Sequence, residues 1–387
     1  RYLFNDELVN HIDRYRDNTR IALLFINLDR FKTINDSLGH QVGDRLLKIV
    51  SERLKNCINN KTLLARLGGD EFMVMMKNPE SITAVKDLAD TINLIIRKPY
   101  VVDYYKLNTS CSIGISVYPQ DSIEPHILLR NADTAMYSAK EKGGDRYQFY
   151  TDEMNQQVNS RLAIETELRR AIKENEFEIH YQPQVNAYTG ELEGAEALVR
   201  WMHPTAGIVS PAEFIPVAEE TGLITDIGDW VLEQACRNFN EWNKEAKLNL
   251  SVAVNVSVKQ LNDSFVLRLK DILNKTGLGK NHLELEITES LLMHNVQENV
   301  RILESINRLG VHFAMDDFGT GYSSLSYLRQ FPIGKLKIDR SFVNDITDNP
   351  DDEAIIRAII AMGKTLKLKV IAEGVENHKQ LVLLQSI

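Results

Sequence analysis

Two successive rhythms of apolar and polar residues run along the 387-residue chain. In the first half, IALLFINL at 21–28 reads as a buried strand, apolar but for Asn27, and Leu46, Leu47, Val50 and Leu54 recur at helical spacing between Gly43 and Cys57. LLARLGGDEFMVMM then predicts two strands joined at Gly68 and Gly69, a pair suited to the positive φ angles of a tight hairpin. This presents Asp70 and Glu71 at the hairpin tip. A helix over about Ser81 to Arg97, a strand through TSCSIGISVYP, a helix over about Glu124 to Lys142 and a last strand RYQFY follow, so a βαββαβ order underlies this half. Between Asp152 and Asn175 the pattern is one charged amphipathic helix, with Met154, Val158, Leu162, Leu168 and Ile172 on or near one stripe. It contains no Gly or Pro and predicts a stiff connector rather than a loose tether. From Phe177 onward FEIHYQP, LEGAEALVRW, LSVAVNVS, LELEIT, VHFAMDDF, KLKID and KVIAEGVE are candidate strands separated by helical segments, the alternation of a (β/α)8 barrel. An eighth is not visible before Ile387.

Carboxylates interrupt this second set of strands. Glu196, Glu286, Asp316, Asp317 and Glu373 each lie in or at the end of a run that should be uniformly apolar, and Asn255 and Lys337 follow the same rule. Any one such acid is accounted for by a solvated strand end or a local salt bridge. A whole series spaced one or two βα units apart is not, because unpaired buried charge costs too much to be kept as packing. A barrel whose strands all point their C-terminal ends at one mouth would gather these groups. They would then form a set of hard oxygen donors for divalent cations, with a lysine beside them for a phosphate or a water.

Composition narrows the choice. The chain is 43% hydrophobic and 26% charged, enough for two soluble domains with full cores. A net charge of -9 and a pI near 5.6 leave no broad basic field for a nucleic-acid polymer, while a small anion held through metal stays open. Cys57, Cys111 and Cys236 form no CxxC pair, so neither a disulfide framework nor a zinc ribbon is indicated, and they fit a reducing cytoplasm. No apolar run approaches the roughly 18 residues that cross a bilayer, and RYLFNDELVN is neither a signal nor a transit peptide. Gly363-Lys364-Thr365 has the tail of a phosphate-binding loop, but Ala358 stands where the first glycine belongs and the segment has helical spacing. Asp317-Phe318-Gly319 lacks the other landmarks of a kinase. His11, His40, His180 and His203 show no metal spacing.

Two long, ordered signatures now carry a family resemblance. Arg66-x-Gly68-Gly69-Asp70-Glu71-Phe72, with Asp29-x-Phe31-Lys32 and Asn35-Asp36 upstream, resembles the GGDEF domain of diguanylate cyclases. Glu196-Ala197-Leu198, Asn255-Val256-Ser257, Glu286-x-x-Glu289, Asp316 to Gly321, Leu336-Lys337-Ile338-Asp339 and Glu373-Gly374-Val375-Glu376 resemble the EAL domain of cyclic di-GMP phosphodiesterases. The resemblance implies a ferredoxin-like βαββαβ domain over 1–151, a connecting helix over 152–175, and a TIM-like (β/α)8 barrel over 176–387 whose final strand lies outside this chain. On that ground the chain is expected to be a piece of a longer protein, cytoplasmic or the cytoplasmic part of a membrane-attached sensor.

For the barrel, the resemblance implies that Glu196, Asn255, Glu286 and Asp316 bind one divalent cation, that Asp317 helps bind a second, and that Glu373 serves the same Mg²⁺ or Mn²⁺ cluster. Lys337 would hold or help activate the attacking water. Glu289 would anchor a mobile loop over Asp317 to Ser323, in which Gly319 and Gly321 permit closure. Gln182, Leu198, Arg200, Asp339 and Glu376 would contact cyclic di-GMP, with Arg200 suited to a phosphate oxygen. The product would be linear pGpG. A homodimer is implied as well.

The GGDEF half departs from its family. Where the family offers Asp-x-Asp before the FK motif, this chain has Asn27-Leu28-Asp29, a neutral oxygen where Mg²⁺ beside a triphosphate favours an anion. Asp70 would remain as a metal ligand. Lys140-Glu141-Lys142-Gly143-Gly144-Asp145 keeps the first lysine of a phosphate-contact run but has Gly144 in place of its arginine. Asn59-Asn60-Lys61-Thr62 replaces the product-inhibition motif. Asn35 and Asp44 still match the guanine-reading residues, Gly68 and Gly69 still admit phosphate, and Glu71 and Lys140 complete the implied GTP site. The expectation is a first domain that binds GTP, with Mg²⁺, yet cyclises it weakly or not at all, ahead of a cyclic di-GMP phosphodiesterase. The alternatives are a bifunctional cyclase and phosphodiesterase, and a non-catalytic receptor for cyclic di-GMP.

Overall fold

β1 (Ile21–Leu28) is buried at every position, Asn27 included, because helices cover both faces of the sheet it centres. The computed structural model describes residues 2–15, 19–58, 62–257, 259–289, 296–319 and 330–387, in two compact units, Arg1–Ser160 and Arg161–Ile387. The first unit runs α1 (Tyr2–Tyr15), β1, α2 (Phe31–Leu38), α3 (His40–Cys57), β2 (Thr62–Gly68), β3 (Glu71–Lys77), α4 (Ile82–Ile96), β4 (Tyr100–Val102), β5 (Tyr105–Leu107), β6 (Cys111–Tyr118), α5 (Pro125–Glu141) and β7 (Tyr147–Phe149). Its five-stranded sheet has the order β2-β3-β1-β6-β7. β1 is antiparallel to both neighbours, β3 and β6, and β7 runs parallel to β6.

Alternate β1 residues serve opposite cores. Leu24 and Ile26 pack with Leu46, Val50, Val85 and Ile92 of α3 and α4, while Leu23 and Phe25 pack with Leu8, Ile12 and Leu128 of α1 and α5. The sequence pattern missed α1, α2 and the short β4–β5 hairpin. Each of those two strands is three residues long, below the length at which a period of two can be read.

Helix α6 (Asp152–Glu174) joins the units. Met154 packs with Ala135 and Tyr150 in the first unit, whereas Leu168 and Ala171 belong to the core of the second. Of the predicted stripe, Leu162 is 61% exposed, and the side chain of Val158 is outside the described residues.

The second unit continues with β8 (Phe177–Val185), β9 (Leu192–His203), β10 (Gly207–Val209), α7 (Pro211–Thr221), α8 (Ile224–Glu245), β11 (Ser251–Asn255), α9 (Asp263–Thr276) and β12 (Leu283–Thr288). Then come α10 (Val296–Asn307), β13 (His312–Phe318), β14 (Lys335–Ile338), α11 (Arg340–Asn344), α12 (Pro350–Leu366), β15 (Lys369–Ala372) and α13 (His378–Ser386). The sheet order is β10-β9-β11-β12-β13-β14-β15, with β8 beside β9. All seven candidate strands form, and β9 to β15 along this path are parallel except for the β10 hairpin.

One expectation is corrected: β8 is antiparallel to β9, so its C-terminal end does not share the mouth. The connection 186–191 is too short for the crossover that parallel pairing needs. It is instead a turn in which Asn186 Oδ1 accepts from the backbone N–H groups of Tyr188 and Thr189 at 3.0 and 3.1 Å. Gly363 to Thr365 lies inside α12, in agreement with its helical spacing.

Gly114 is where β6 meets α5. A Cβ there would stand 2.0 Å from both the Ala132 carbonyl oxygen and the Met136 backbone nitrogen, so α5 rests directly on strand backbone. Gly114→Ala is expected to destabilise the first unit by about 2 kcal/mol, since backbone cannot yield as a side-chain tip would. Hydrogen exchange in the full chain checks this: amides of β1 and β6 should lose roughly 30-fold protection while β11 to β13 keep theirs.

Candidate active site

Strand alternation selects the inward face of the barrel. On β9, Ala195, Ala197 and Trp201 enter the core under the helices, so Glu196, Leu198 and Arg200 lie on the opposite face. The antiparallel register places Gln182 against Glu196, His180 against Leu198 and Glu178 against Arg200. Val252 and Val254 on β11, Leu283, Leu285 and Ile287 on β12, and Leu336 and Ile338 on β14 take the helix-facing core. Ala253 and Asn255, Glu284 and Glu286, and Lys335 and Lys337 are left inside.

Four carboxylates converge on one ammonium there. Lys337 Nζ is 2.6 Å from Glu286 Oε2 and from Glu373 Oε1, 3.1 Å from Glu196 Oε2 and 3.2 Å from Asp316 Oδ2. The lysine side chain is 2% exposed and that of Glu286 fully buried. Asn255 Nδ2 donates to Glu196 Oε1 at 2.7 Å, which ties β11 to β9. Burial pushes Glu286 up to about 9, against the pull of Lys337, and Glu196 and Asp316 nearby add to the rise. Burial likewise raises Glu373. The Lys337 ammonium is pushed down by burial, but its carboxylate neighbours outweigh this and hold it charged beyond the ordinary lysine range.

A bulge lets two adjacent acids address the same mouth. In a regular strand Asp316 and Asp317 would face opposite sides of the sheet. The β13–β14 register shifts between Met315 and Phe318, and Asp317 takes φ +53°. Asp316 Oδ1 accepts from the Asp317 backbone N–H at 3.0 Å. Asp317 is thereby turned to hydrogen-bond with Asp339. Burial, then Asp316 and Asp339, raise the Asp317 carboxyl above its usual range. Burial also acts upward on Asp339, but hydrogen bonds from Ser341 and Asp317 hold it below. Asp339 is the N-cap of α11, accepting from Ser341 N at 2.9 Å.

The remaining barrel residues sit nearby or apart. Arg200 Nη1 donates to the Val199 carbonyl at 2.9 Å, and Gln182 is exposed. Glu376 is exposed after β15, with its backbone N–H on Gln380 Oε1 at 2.8 Å. Glu289 follows β12 and is buried, with Oε2 free of any hydrogen bond. Thr320 to Ser323 of the predicted loop lie outside the described residues.

In the first unit, Asn27 is the next-to-last residue of β1, opposite Glu71 of β3, buried, with Oδ1 unpartnered. Asp70 occupies the turn after Gly69, whose φ of +49° suits glycine. Asn35 Oδ1 is buried and unpartnered, in a space a Cβ at Gly43 would take, at 1.9 Å. Asp44 and Lys140 are exposed. Asn59 to Lys61 lie outside the described residues.

Two features escaped the sequence reading. Asp29 accepts from Ser110 Oγ (2.5 Å) and Asp145 N (3.0 Å) on Oδ2, and from Ser112 Oγ (2.7 Å) on Oδ1. Lys335 bridges Glu284 at 2.9 Å inside the barrel. The Lys-x-Lys and Glu-x-Glu spacing on β14 and β12 was the signal for the second; nothing local signalled the first.

The donor chemistry of the barrel mouth fits a hard divalent cation: carboxylate and amide oxygens, one of which, Glu286 Oε1, is buried without a partner. In their present positions no three His, Cys, Asp or Glu side chains among the described residues enclose a single ion, because the acids face Lys337.

Comparison with known proteins fits this architecture. Residues 165–387 match the EAL domain family and residues 1–146 the GGDEF domain of diguanylate cyclases. The chain belongs to the EAL family, with a GGDEF domain ahead of the barrel. It is 42% identical over 382 residues to the bifunctional diguanylate cyclase/cyclic di-GMP phosphodiesterase MucR of Pseudomonas aeruginosa, covering 98% of this chain and 56% of that protein. It is 40% identical over 375 residues to the cyclic di-GMP phosphodiesterase PdeR of Escherichia coli, covering 97% and 56%. The chain thus spans about half the length of the curated relatives it matches. The solved PaMucR phosphodiesterase, in its c-di-GMP complex, shares 43% identity at a TM-score of 0.56, over 58% of this chain and 91% of that one. The S helix-GGDEF-EAL structure of Vibrio cholerae LapD matches at a TM-score of 0.61 and 20% identity over 99% and 90%, a likeness of fold.

Removing the ammonium should leave buried acids facing one another. Lys337→Met is expected to destabilise the second unit by about 3–5 kcal/mol. Urea unfolding followed by tryptophan emission in chelator checks this, because Trp201, Trp230 and Trp242 all lie in the second unit. Adding Glu286→Gln should recover part of the loss.

Proposed function

We propose that the second unit hydrolyses cyclic di-GMP to linear pGpG with the help of Mg²⁺ or Mn²⁺. The observation that carries this reading is the convergence of Glu196, Glu286, Asp316 and Glu373, from separate strand ends, on the buried Lys337 ammonium. Glu196, Asn255, Glu286, Asp316 and Glu373 would hold one cation, and Asp317 would serve a second. Bound cations supply Lewis acidity, lowering the pKa of water and offsetting charge on phosphoryl oxygens. Lys337 would hold that water by donating to it, and Glu373 and Glu196 would help to orient it. Arg200 suits a phosphate oxygen, while Gln182, Leu198, Asp339 and Glu376 line the approach for the dinucleotide. Glu289, buried with a free oxygen, is the anchor for the loop that follows Asp317.

The first unit is proposed to bind GTP and to cyclise it weakly or not at all. Asn27 offers a neutral oxygen where an anionic metal ligand would serve, while Asn35, Asp44, Gly68 to Glu71 and Lys140 remain. The nucleotide-bound state would act on the hydrolase through α6, whose ends are packed one in each unit. A homodimer in the cytoplasm completes the proposal.

Purified protein with Mn²⁺ should convert cyclic di-GMP to pGpG, and Glu196→Ala should lower kcat at least 100-fold. Binding without turnover would identify a receptor instead. With GTP and Mn²⁺ as the only substrate, cyclic di-GMP should form poorly, and Asn27→Asp should raise its rate about tenfold or more. Robust synthesis by the unaltered chain would establish the bifunctional reading.

A further inference from the structure

Beneath the Lys337 cluster lies a second ammonium–carboxylate bridge. Lys335 Nζ stands 2.9 Å from Glu284 Oε2, with side chains 15% and 6% exposed. Glu284 and Glu286 are two residues apart on β12, and Lys335 and Lys337 two apart on β14, so each pair shares a face and the bridges form successive rungs. β13 separates these strands. Where the rungs cross it the register residue is Ala314, paired with Glu286 on one side and Lys335 on the other, and fully buried. A methyl group there leaves room for each lysine to reach over to β12.

The ordinary filling of a barrel interior is a layer of branched apolar side chains. A buried ion pair is no more stabilising than such filling and is frequently less so. Glu284 Oε1 adds to the cost, being buried without a hydrogen bond. Stability alone therefore does not account for this rung. Position does: the bridge fixes β14 against β12 one layer below the point where Lys337 meets Glu286 at 2.6 Å.

We propose that Lys335 and Glu284 are positioning residues for the catalytic cluster, holding the β14 lysine and the β12 glutamate of the mouth in alignment. This rests on reading the mouth as a divalent-cation phosphodiesterase site. Neither residue touches substrate; they act through Lys337 and Glu286. Ala314 is the third part of the device, since a larger residue there would part the rungs.

The test uses the full chain carrying K335M and E284L together, which removes both charges and keeps apolar bulk. Melting temperature, Mn²⁺ affinity by electron paramagnetic resonance titration, and cyclic di-GMP turnover are read on each protein. The double variant should melt within a few degrees of the parent, bind Mn²⁺ about tenfold more weakly and lose about tenfold in kcat at unchanged KM, the scale of outer-shell changes at metal sites. K335R, which keeps the bridge, should hold Mn²⁺ within about twofold of the parent. A double variant that melts normally and keeps both Mn²⁺ affinity and kcat overturns the proposal and makes the rung mere filling. A tenfold loss of Mn²⁺ affinity in a normally melting K335R overturns it as well. Should the parent fail to turn over cyclic di-GMP, the phosphodiesterase reading fails, while the Mn²⁺ comparison still decides the positioning role.

Discussion

Four carboxylates cannot occupy one end of a barrel without a cation among them. At separations of a few ångströms in a medium of low effective dielectric, like charges repel by several kcal/mol per pair. The Lys337 ammonium answers this by accepting all four as neighbours, and it can do so only if β9, β12, β13 and β15 curl around β14. The charge that makes the site chemically useful is thus also a restraint on the sheet that builds it. Asn255 extends the restraint to β11 through Glu196, so the mouth is bonded across six consecutive strands.

Strand geometry explains the division of labour at that mouth. Alternation gives each strand one inward residue per pair, which suffices for Glu196, Glu286 and Lys337. Two adjacent acids on β13 exceed that allowance. The bulge and the left-handed backbone at Asp317 resolve the excess, at a conformational cost of about 1 kcal/mol or more for a non-glycine residue. Strain is stored where the chain needs a second acid, and the hydrogen bond to Asp339 at the cap of α11 holds the result in place.

Much of this was legible in the sequence because burial on two faces writes itself as a predominantly apolar run. IALLFINL and CSIGISVY became fully buried strands, and acids breaking such runs at Glu196, Glu286, Asp316 and Glu373 met at one point. The direction of β8 was not legible from its composition; a six-residue turn decided it. Leu162 fitted a helical stripe yet is exposed, because on α6 Met154 serves one core and Leu168 and Ala171 serve another, and Leu162 belongs to neither. The Lys-x-Lys and Glu-x-Glu spacings put Lys335 and Glu284 on the inward face, but their pairing across the small Ala314 of β13 needed the tertiary structure.

Two of the three departures of the first unit from its family, at Asn27 and Gly144, lie beside Asp29. Loss of the carboxylate at Asn27 could in principle be made good by the acid two residues on. Both Asp29 oxygens are already engaged, Oδ1 by Ser112 and Oδ2 by Ser110 and the Asp145 backbone. A metal at Oδ2 would compete with the Asp145 N–H of the turn over 143–146, and one at Oδ1 with the Ser112 hydroxyl. That turn in turn requires glycine at 144: its φ is +69°, and a Cβ would come within 3.1 Å of the Asp29 carboxylate. Restoring an arginine there would strain the backbone and crowd the same acid. The neutral Asn27, its oxygen buried and unpartnered opposite Glu71, is left as the group facing the hairpin tip.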